Sequence, residues 1–256
     1  SSTAIYGAQA ANGVILITSR RGRVSQKPRV SFSSSYSSQN PTVGDLRPYN
    51  RDGFIKFMTE NFYEKAYLGP DYTQPNPAFD LATVIDPVLV GPDGKLKPYD
   101  YDWFGAASGT GSIFETNLSL SGGSDRFNYF LSGSVVDQKG YIINDIFKRK
   151  TLRVNLETKP VTWWKIGLQS SGSFVNQDGA EPSWGSIQRM PPLLEPYDST
   201  GALIPFPTRT LEPSPFTTYY VQDRDRTNYY FANLYSDIDF PFLKGLNYRM
   251  NFGNNY

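Results

Sequence analysis

The chain has 256 residues, with 25 Lys+Arg against 24 Asp+Glu for a formal charge of +1, and it contains neither Cys nor His. Without Cys there is no disulfide scaffold, Cys-ligated zinc, iron–sulfur cluster or thiol nucleophile, and without His there is no Ser-His-Asp triad or imidazole base near neutral pH. The near-even charge gives no electrostatic reason to expect nucleic acid, while 19% charged and 15% aromatic residues make a chain poorer in charge and richer in rings than the average soluble domain, where charge is roughly 25%.

In chain order, residues 4 to 24 are small and apolar, with a turn signal at Asn12-Gly13 and a continuous run from Val14 to Thr18 that suits a strand buried on both faces. Arg20-Arg21-Gly22 ends it, so the segment reads as the last strand of a small packed domain. Val14-Ile15-Leu16-Ile17 is also the longest apolar stretch, far short of the roughly 18 residues of a membrane helix, which leaves a membrane β-barrel open. The opening Ser1-Ser2-Thr3, without Met or leader, reads as a piece of something longer.

From residue 28 the pattern becomes alternation in segments of about ten residues, the signature of half-buried strands. Seven are predicted: 29–38, 113–122, 126–138, 150–158, 164–175, 228–240 and 246–252. In the second, Phe114, Thr116, Leu118 and Leu120 share a face opposite Glu115, Asn117, Ser119 and Ser121. Charges on the polar faces include Arg153, Glu157, Asp237, Asp239 and Arg249. Short links at 122–125, 159–162 and 241–245 alternate with longer ones at 39–112, 139–148 and 176–227, which puts long and short loops at opposite ends of a sheet. Arg51 to Ala66 is the one predicted helix, with Asn50 as N-cap and Phe54, Ile55, Phe57, Met58 and Phe62 at helical spacing.

Two architectures fit this pattern. One is a transmembrane barrel with apolar residues toward lipid, and the other is a secreted sandwich with one face packed on a second sheet. Aromatic pairs beside the turns, Trp163-Trp164, Phe240 with Phe242, and Tyr229-Tyr230, sit where a barrel carries its girdles.

Other motifs carry little chemistry. Gly7 to Gly13 lacks the Gly-Lys-Ser/Thr ending of a phosphate loop. Asp93-Gly94 and Asp100-Tyr101-Asp102 lack the further carboxylates of a calcium loop and read as turns. No carboxylate pair is marked out for glycosidase chemistry. Asp223-Arg224-Asp225-Arg226 reads as a self-neutralising loop, and Trp184, Tyr219 and Tyr220 as loop or girdle packing ahead of ligand stacking. No metal, cofactor or catalytic residue is expected.

Residues 1 to 22, SSTAIYGAQAANGVILITSRRG, resemble the segment that ends the plug domain of the SusC/RagA family of TonB-linked outer-membrane transporters. Ala4, Ile5, Tyr6, Gly7, Ala11, Asn12, Gly13, Val14, Ile15, Leu16, Ile17 and Thr18 stand where that pattern wants them, followed by Arg20, Arg21 and Gly22; Gln9 and Ala10 depart from it. Downstream, Pro28 to Phe32, Phe54 to Met58, Ser119 to Ser124, Gly140 to Asn144, Met190-Pro191-Pro192 and Leu243 to Leu246 are similar to family segments in the same order.

The resemblance implies an all-β fold, a partial antiparallel transmembrane barrel of about seven strands out of 22 preceded by the last plug strand. It divides the chain into a plug end at 1–24 and a first part of the barrel at 25–256, with long extracellular loops near 39–112 and 176–227. It implies a non-enzymatic protein of the outer membrane of a Gram-negative, Bacteroidota-type bacterium, importing an oligosaccharide or peptide. Its partners would be a TonB-ExbB-ExbD complex, a SusD-like surface lipoprotein, membrane lipid and the nutrient, with no nucleic acid. A passive porin or adhesin barrel and a secreted carbohydrate-binding sandwich remain the alternatives.

Overall fold

The computed structural model describes residues 27–210, 212–243 and 245–256. The plug-end motif, Ala4 to Thr18, lies outside the described residues. Seven strands appear in the predicted order: β1 (Arg29–Gln39), β2 (Gly111–Gly123), β3 (Phe127–Lys139), β4 (Ile146–Val161), β5 (Trp164–Asn176), β6 (Arg226–Asp239) and β7 (Asn247–Asn255). Each pairs antiparallel with the next in sequence, giving one open up-and-down sheet with β1 and β7 at its edges.

Register decides which side chains share a face, because directly opposite residues in an antiparallel pair point the same way. One row runs Phe32, Leu118, Gly133, Leu152, Gly172 and Tyr230; the next runs Val30, Leu120, Leu131, Val154, Ser170 and Ala232. This apolar face is open: Phe32 is 68% exposed, Leu152 59% and Phe252 74%. The opposite face carries Glu115, Asn128, Arg153, Glu157, Asp237 and Arg249, yet holds the most sheltered strand residues, among them Tyr235 at 2% exposure and Asn155 at 5%. The polar side is therefore the crowded one.

Rings collect at both ends of the apolar face. Near the short turns, Trp163 stacks on Trp164 at 6.5 Å, Phe240 meets Phe242 edge-on at 5.6 Å, and the Trp164 indole donates to Ser236 at 2.9 Å. Near the other end, Phe174 meets Tyr230 edge-on at 5.6 Å, and across the sheet Tyr36 and Phe114 are exposed on β1 and β2.

The connections depart from the predicted alternation at one place. The link expected at 139–148 is only the turn 140–145, because β3 and β4 stay paired out to Lys139 and Ile146. Asn144 at φ +65° and a bond from the Gly140 amide to the Asp145 carbonyl at 2.8 Å make that tight reversal. The two long connections, 40–110 and 177–225, stand at the same end of the sheet.

The predicted helix is present but broken. Asn50 caps α1 (Arg51–Asn61) by accepting from the Gly53 amide at 2.9 Å, and Phe62 then leaves helical geometry before the single turn α2 (Tyr63–Ala66). The break turns Phe62 against the loop core and buries Ala66; Phe54, Ile55 and Met58 pack there too, while Phe57 points away and packs on Tyr49.

That loop core is the main hydrophobic cluster among the described residues. Two short helices absent from the predicted elements, α3 (Trp103–Ala107) and α4 (Trp184–Arg189), bring Trp103, Phe104 and Ile187 together with Leu193, Leu194 and Phe216. Each is too short to show a period and is started by a cap, Asp102 accepting from the Gly105 amide at 2.8 Å and Ser183 from the Ser186 amide at 3.0 Å. The Trp103 indole donates to the Pro191 carbonyl at 3.0 Å, and its ring stacks on Phe216 at 5.8 Å.

Trp103→Ala is expected to cost the loop assembly about 3–5 kcal/mol. Limited proteolysis should then cut within 40–110 and 177–225 while the strand signal in circular dichroism stays.

Candidate functional site

Among the described residues no group of acidic or other metal-binding side chains is arranged to hold a metal. What the sheet offers instead is the polar face as a continuous wall. Near the short-turn end, register places Lys165, Asp237 and Arg249 directly opposite one another on β5, β6 and β7. Lys165 Nζ lies 2.9 Å from Asp237, and Arg249 Nε lies 3.1 Å from the same carboxylate. Asp237 thus joins three strands through charge.

One row along, Glu157, Gly167 and Tyr235 face one another on β4, β5 and β6. The Tyr235 ring lies across Gly167 and donates its hydroxyl to Glu157 Oε2 at 2.5 Å; the other carboxylate oxygen accepts from Asn128 on β3 at 3.4 Å. Only glycine permits this crossing, since a Cβ on Gly167 would stand 2.2 Å from the ring. The Arg249 guanidinium lies over the Tyr235 ring, 5.3 Å from its centroid.

Toward the middle of the same face, Ser31, Ser33, Asn117, Ser119, Ser132 and Arg153 line a shallow depression of about 440 Å³. Hydroxyl, amide and one guanidinium give this wall both hydrogen-bond donors and acceptors. The predicted polar-face residues Glu115, Arg153, Glu157, Asp237, Asp239 and Arg249 all lie on this face, with Asn117 donating to Glu115 at 3.1 Å. The Tyr235–Gly167–Glu157 crossing is legible in sequence only as an isolated glycine in a strand.

At the long-loop end a second space of about 250 Å³ lies among Arg47, Tyr49, Asn50, Asp100, Tyr101 and Trp103. Its carboxylates are engaged: Asp102 pairs with Arg47 and caps α3, and Asp100 accepts from the Arg51 amide at 2.7 Å. Burial raises the Tyr101 phenol above its ordinary value.

The second long loop is tied by two ion pairs. A hydrogen bond from Arg189 holds the Glu212 carboxyl below its ordinary value, and one from Arg226 does the same for Asp178. Both contributions are full above the ordinary carboxylate range and are lost as pH falls through the lowered folded values.

Trp184 packs edge-on against Phe104 at 5.2 Å, and Tyr219 stacks on Phe216 at 6.2 Å while Tyr220 stays exposed. Asp93-Gly94 forms a turn, with Gly94 at φ +75° and Asp93 accepting from the Lys95 amide.

No family model matches the chain. It is 30% identical over 271 residues to "TonB-dependent receptor P3" of Formosa agariphila, covering 99% of this chain and 23% of that protein. To "TonB-dependent receptor SusC" of Bacteroides thetaiotaomicron it is 29% identical over 157 residues, 61% of this chain and 13% of the relative. The chain therefore spans less than a quarter of the length of the curated relatives it matches. Among solved structures it superposes on a chain of the RagAB peptide transporter with TM-score 0.69 at 24% identity, covering 99% of this chain and 30% of that one. A chain of the RagAB peptide importer in the "closed-closed" state gives TM-score 0.68 at the same identity. The relatives are receptors by name and not enzymes, and the open seven-stranded sheet has the fold of part of such a barrel.

Gly167→Ala is expected to drive the Tyr235 ring off Glu157 and to cost about 1–3 kcal/mol in chemical unfolding. Adding Tyr235→Ser should recover most of the loss due to the clash, whereas adding Tyr235→Phe should not.

Proposed function

This chain is of the SusC/RagA type of TonB-dependent receptor in sequence and in fold, and from that premise we propose that it contributes the first strands of an outer-membrane barrel that imports a nutrient under TonB drive. In this reading residues 1–24 end the plug, with Ala4 to Thr18 as its structural close, and residues 25–256 begin the barrel. The long connections 40–110 and 177–225 face outside, and the short turns face the periplasm.

The observation that carries the reading is the inverted sheet. Its exposed face is apolar and ringed by aromatics, while its sheltered face is polar and charged. A water-soluble sandwich needs the reverse, because exposed apolar area costs roughly 25 cal/mol per Å². The eleven residue steps from Lys150 to Val161 in β4, at about 3.4 Å each and a tilt near 40°, rise roughly 28 Å, close to the ~25 Å apolar band of such barrels.

Support for the partners comes from the relatives. A TonB-ExbB-ExbD complex would act through the plug, and a SusD-like surface lipoprotein would close over the loops. The organisms of the curated relatives favour a Bacteroidota-type outer membrane. For the cargo we propose an oligosaccharide or peptide: the wall of Ser, Asn and Arg side chains suits a polar solute of either kind, and the solved relatives are named for peptide transport.

Uptake of labelled oligosaccharide or peptide mixtures by cells carrying the complete gene tests the reading. Uptake is expected to vanish on deleting either this gene or TonB. Uptake that survives loss of TonB would instead indicate a passive porin, and recovery of the protein in the soluble fraction a secreted domain. Within the complete protein in bilayers, Leu152→Arg on the apolar face should lower unfolding stability by about 2–4 kcal/mol. Ser173→Arg on the polar face should change it by no more than about 0.5 kcal/mol.

A further inference from the structure

At the long-loop end of the apolar face the row beyond the last apolar residues is charged. Register aligns Tyr36, Phe114, Asp137, Lys148, Asn176 and Arg226, and the row inside it holds Val135, Lys150, Phe174 and Asn228. Lys148, Lys150, Arg224 and Arg226, with Phe174 and Asn228, line an outward groove of about 690 Å³. All four cations are exposed. Two have carboxylate partners, Asp137 at 3.4 Å from Lys148 and Asp178 at 2.5 Å from Arg226. Lys150 and Arg224 have no carboxylate partner among the described residues; Asp223 and Asp225 flank Arg224 in sequence but do not line the groove.

Resting on the reading that the apolar face meets lipid, we propose that this groove binds a phosphorylated lipid headgroup of the outer leaflet. The chemistry follows from position. Residues on this face cannot reach cargo in the lumen, because alternation points them away from it. One row further in Leu152 meets acyl chains, and Phe174 lies level with Lys150, so the cations stand at headgroup depth, where a phosphate monoester offers three strong acceptor oxygens. Asp137 and Asp178 hold Lys148 and Arg226 in place, leaving Lys150 and Arg224 as the uncompensated pair facing the anion. Phe174, edge-on to Tyr230, supplies the apolar floor for the first acyl carbons.

The test uses the complete transporter purified in detergent at physiological salt, with diphosphoryl lipid A as probe and binding read by native mass spectrometry. The wild type is expected to retain the lipid, and the Lys150→Gln/Arg224→Gln double variant to bind it roughly tenfold more weakly, while Lys150→Arg/Arg224→Lys binds as the wild type does. Dephosphorylated lipid A should bind the wild type as weakly as diphosphoryl lipid A binds the double variant. Equal retention by wild type and double variant, or equal retention of the dephosphorylated lipid, overturns the proposal. So does displacement of the lipid by inorganic phosphate at equal concentration, which marks a free-anion site. Membrane fractionation run alongside separates the two readings: protein in the outer membrane with unselective lipid binding sinks this proposal alone, and protein outside the membrane sinks both.

Discussion

Everything in this structure depends on one antiparallel ladder that pairs the five inner strands on both sides and the edge strands β1 and β7 on one. Where no water competes, an unpaired amide or carbonyl costs several kcal/mol, so a chain whose apolar face is bare needs its peptide groups bonded within the sheet. Between neighbouring strands the meander from β1 to β7 does this with unbroken registers, apart from one irregularity between Thr158 and Val161 beside the Trp163-Trp164 turn. Alternation then separates the faces, sending Phe32, Leu118, Leu152 and Val154 outward and Glu115, Asn128, Arg153 and Asp237 inward.

The consequence is a division of labour between the sheet and its loops. Strand side chains hold one another by ion pairs and hydrogen bonds on the sheltered side, as in Lys165–Asp237–Arg249 and Tyr235–Glu157. The closely packed hydrophobic cluster, built on Trp103, Ile187, Leu193 and Phe216, lies off the sheet in the two long connections. Those connections bring their own core and pack together at one end of the sheet. The turn 140–145 joins them, with Ile143 donating to the Ala107 carbonyl at 3.0 Å and Gly109 to that of Tyr141 at 2.7 Å.

Alternation made the seven strands readable within a residue or two at most ends, because a period of two survives wherever two faces meet different surroundings. Asn50 was legible as a cap for the same kind of local reason. The loop helices at Trp103 and Trp184 were not, because five or six residues hold too little period and their caps resemble ordinary turns. Phe57 and Phe62 show the limit within a legible helix: both fit the apolar spacing, yet Phe57 faces Tyr49 at the surface and Phe62 ends α1. Neither outcome is encoded within that helix: Phe57 packs on Tyr49, which precedes the helix in the same long connection, and Phe62 packs on the loop core.

The sequence by itself determined the strand count, the two-faced pattern, the ends at which long and short loops gather, and the absence of thiol and imidazole chemistry. These are local properties of composition and period. The tertiary structure alone decided which face is sheltered and which residues meet across strands. Tyr235 reaches Glu157 only because Gly167 lies between them, and Lys150 and Arg224 share a groove although 74 positions separate them in the chain. Such juxtapositions are set by register and by the long loops' return to the sheet, and no periodicity carries that information.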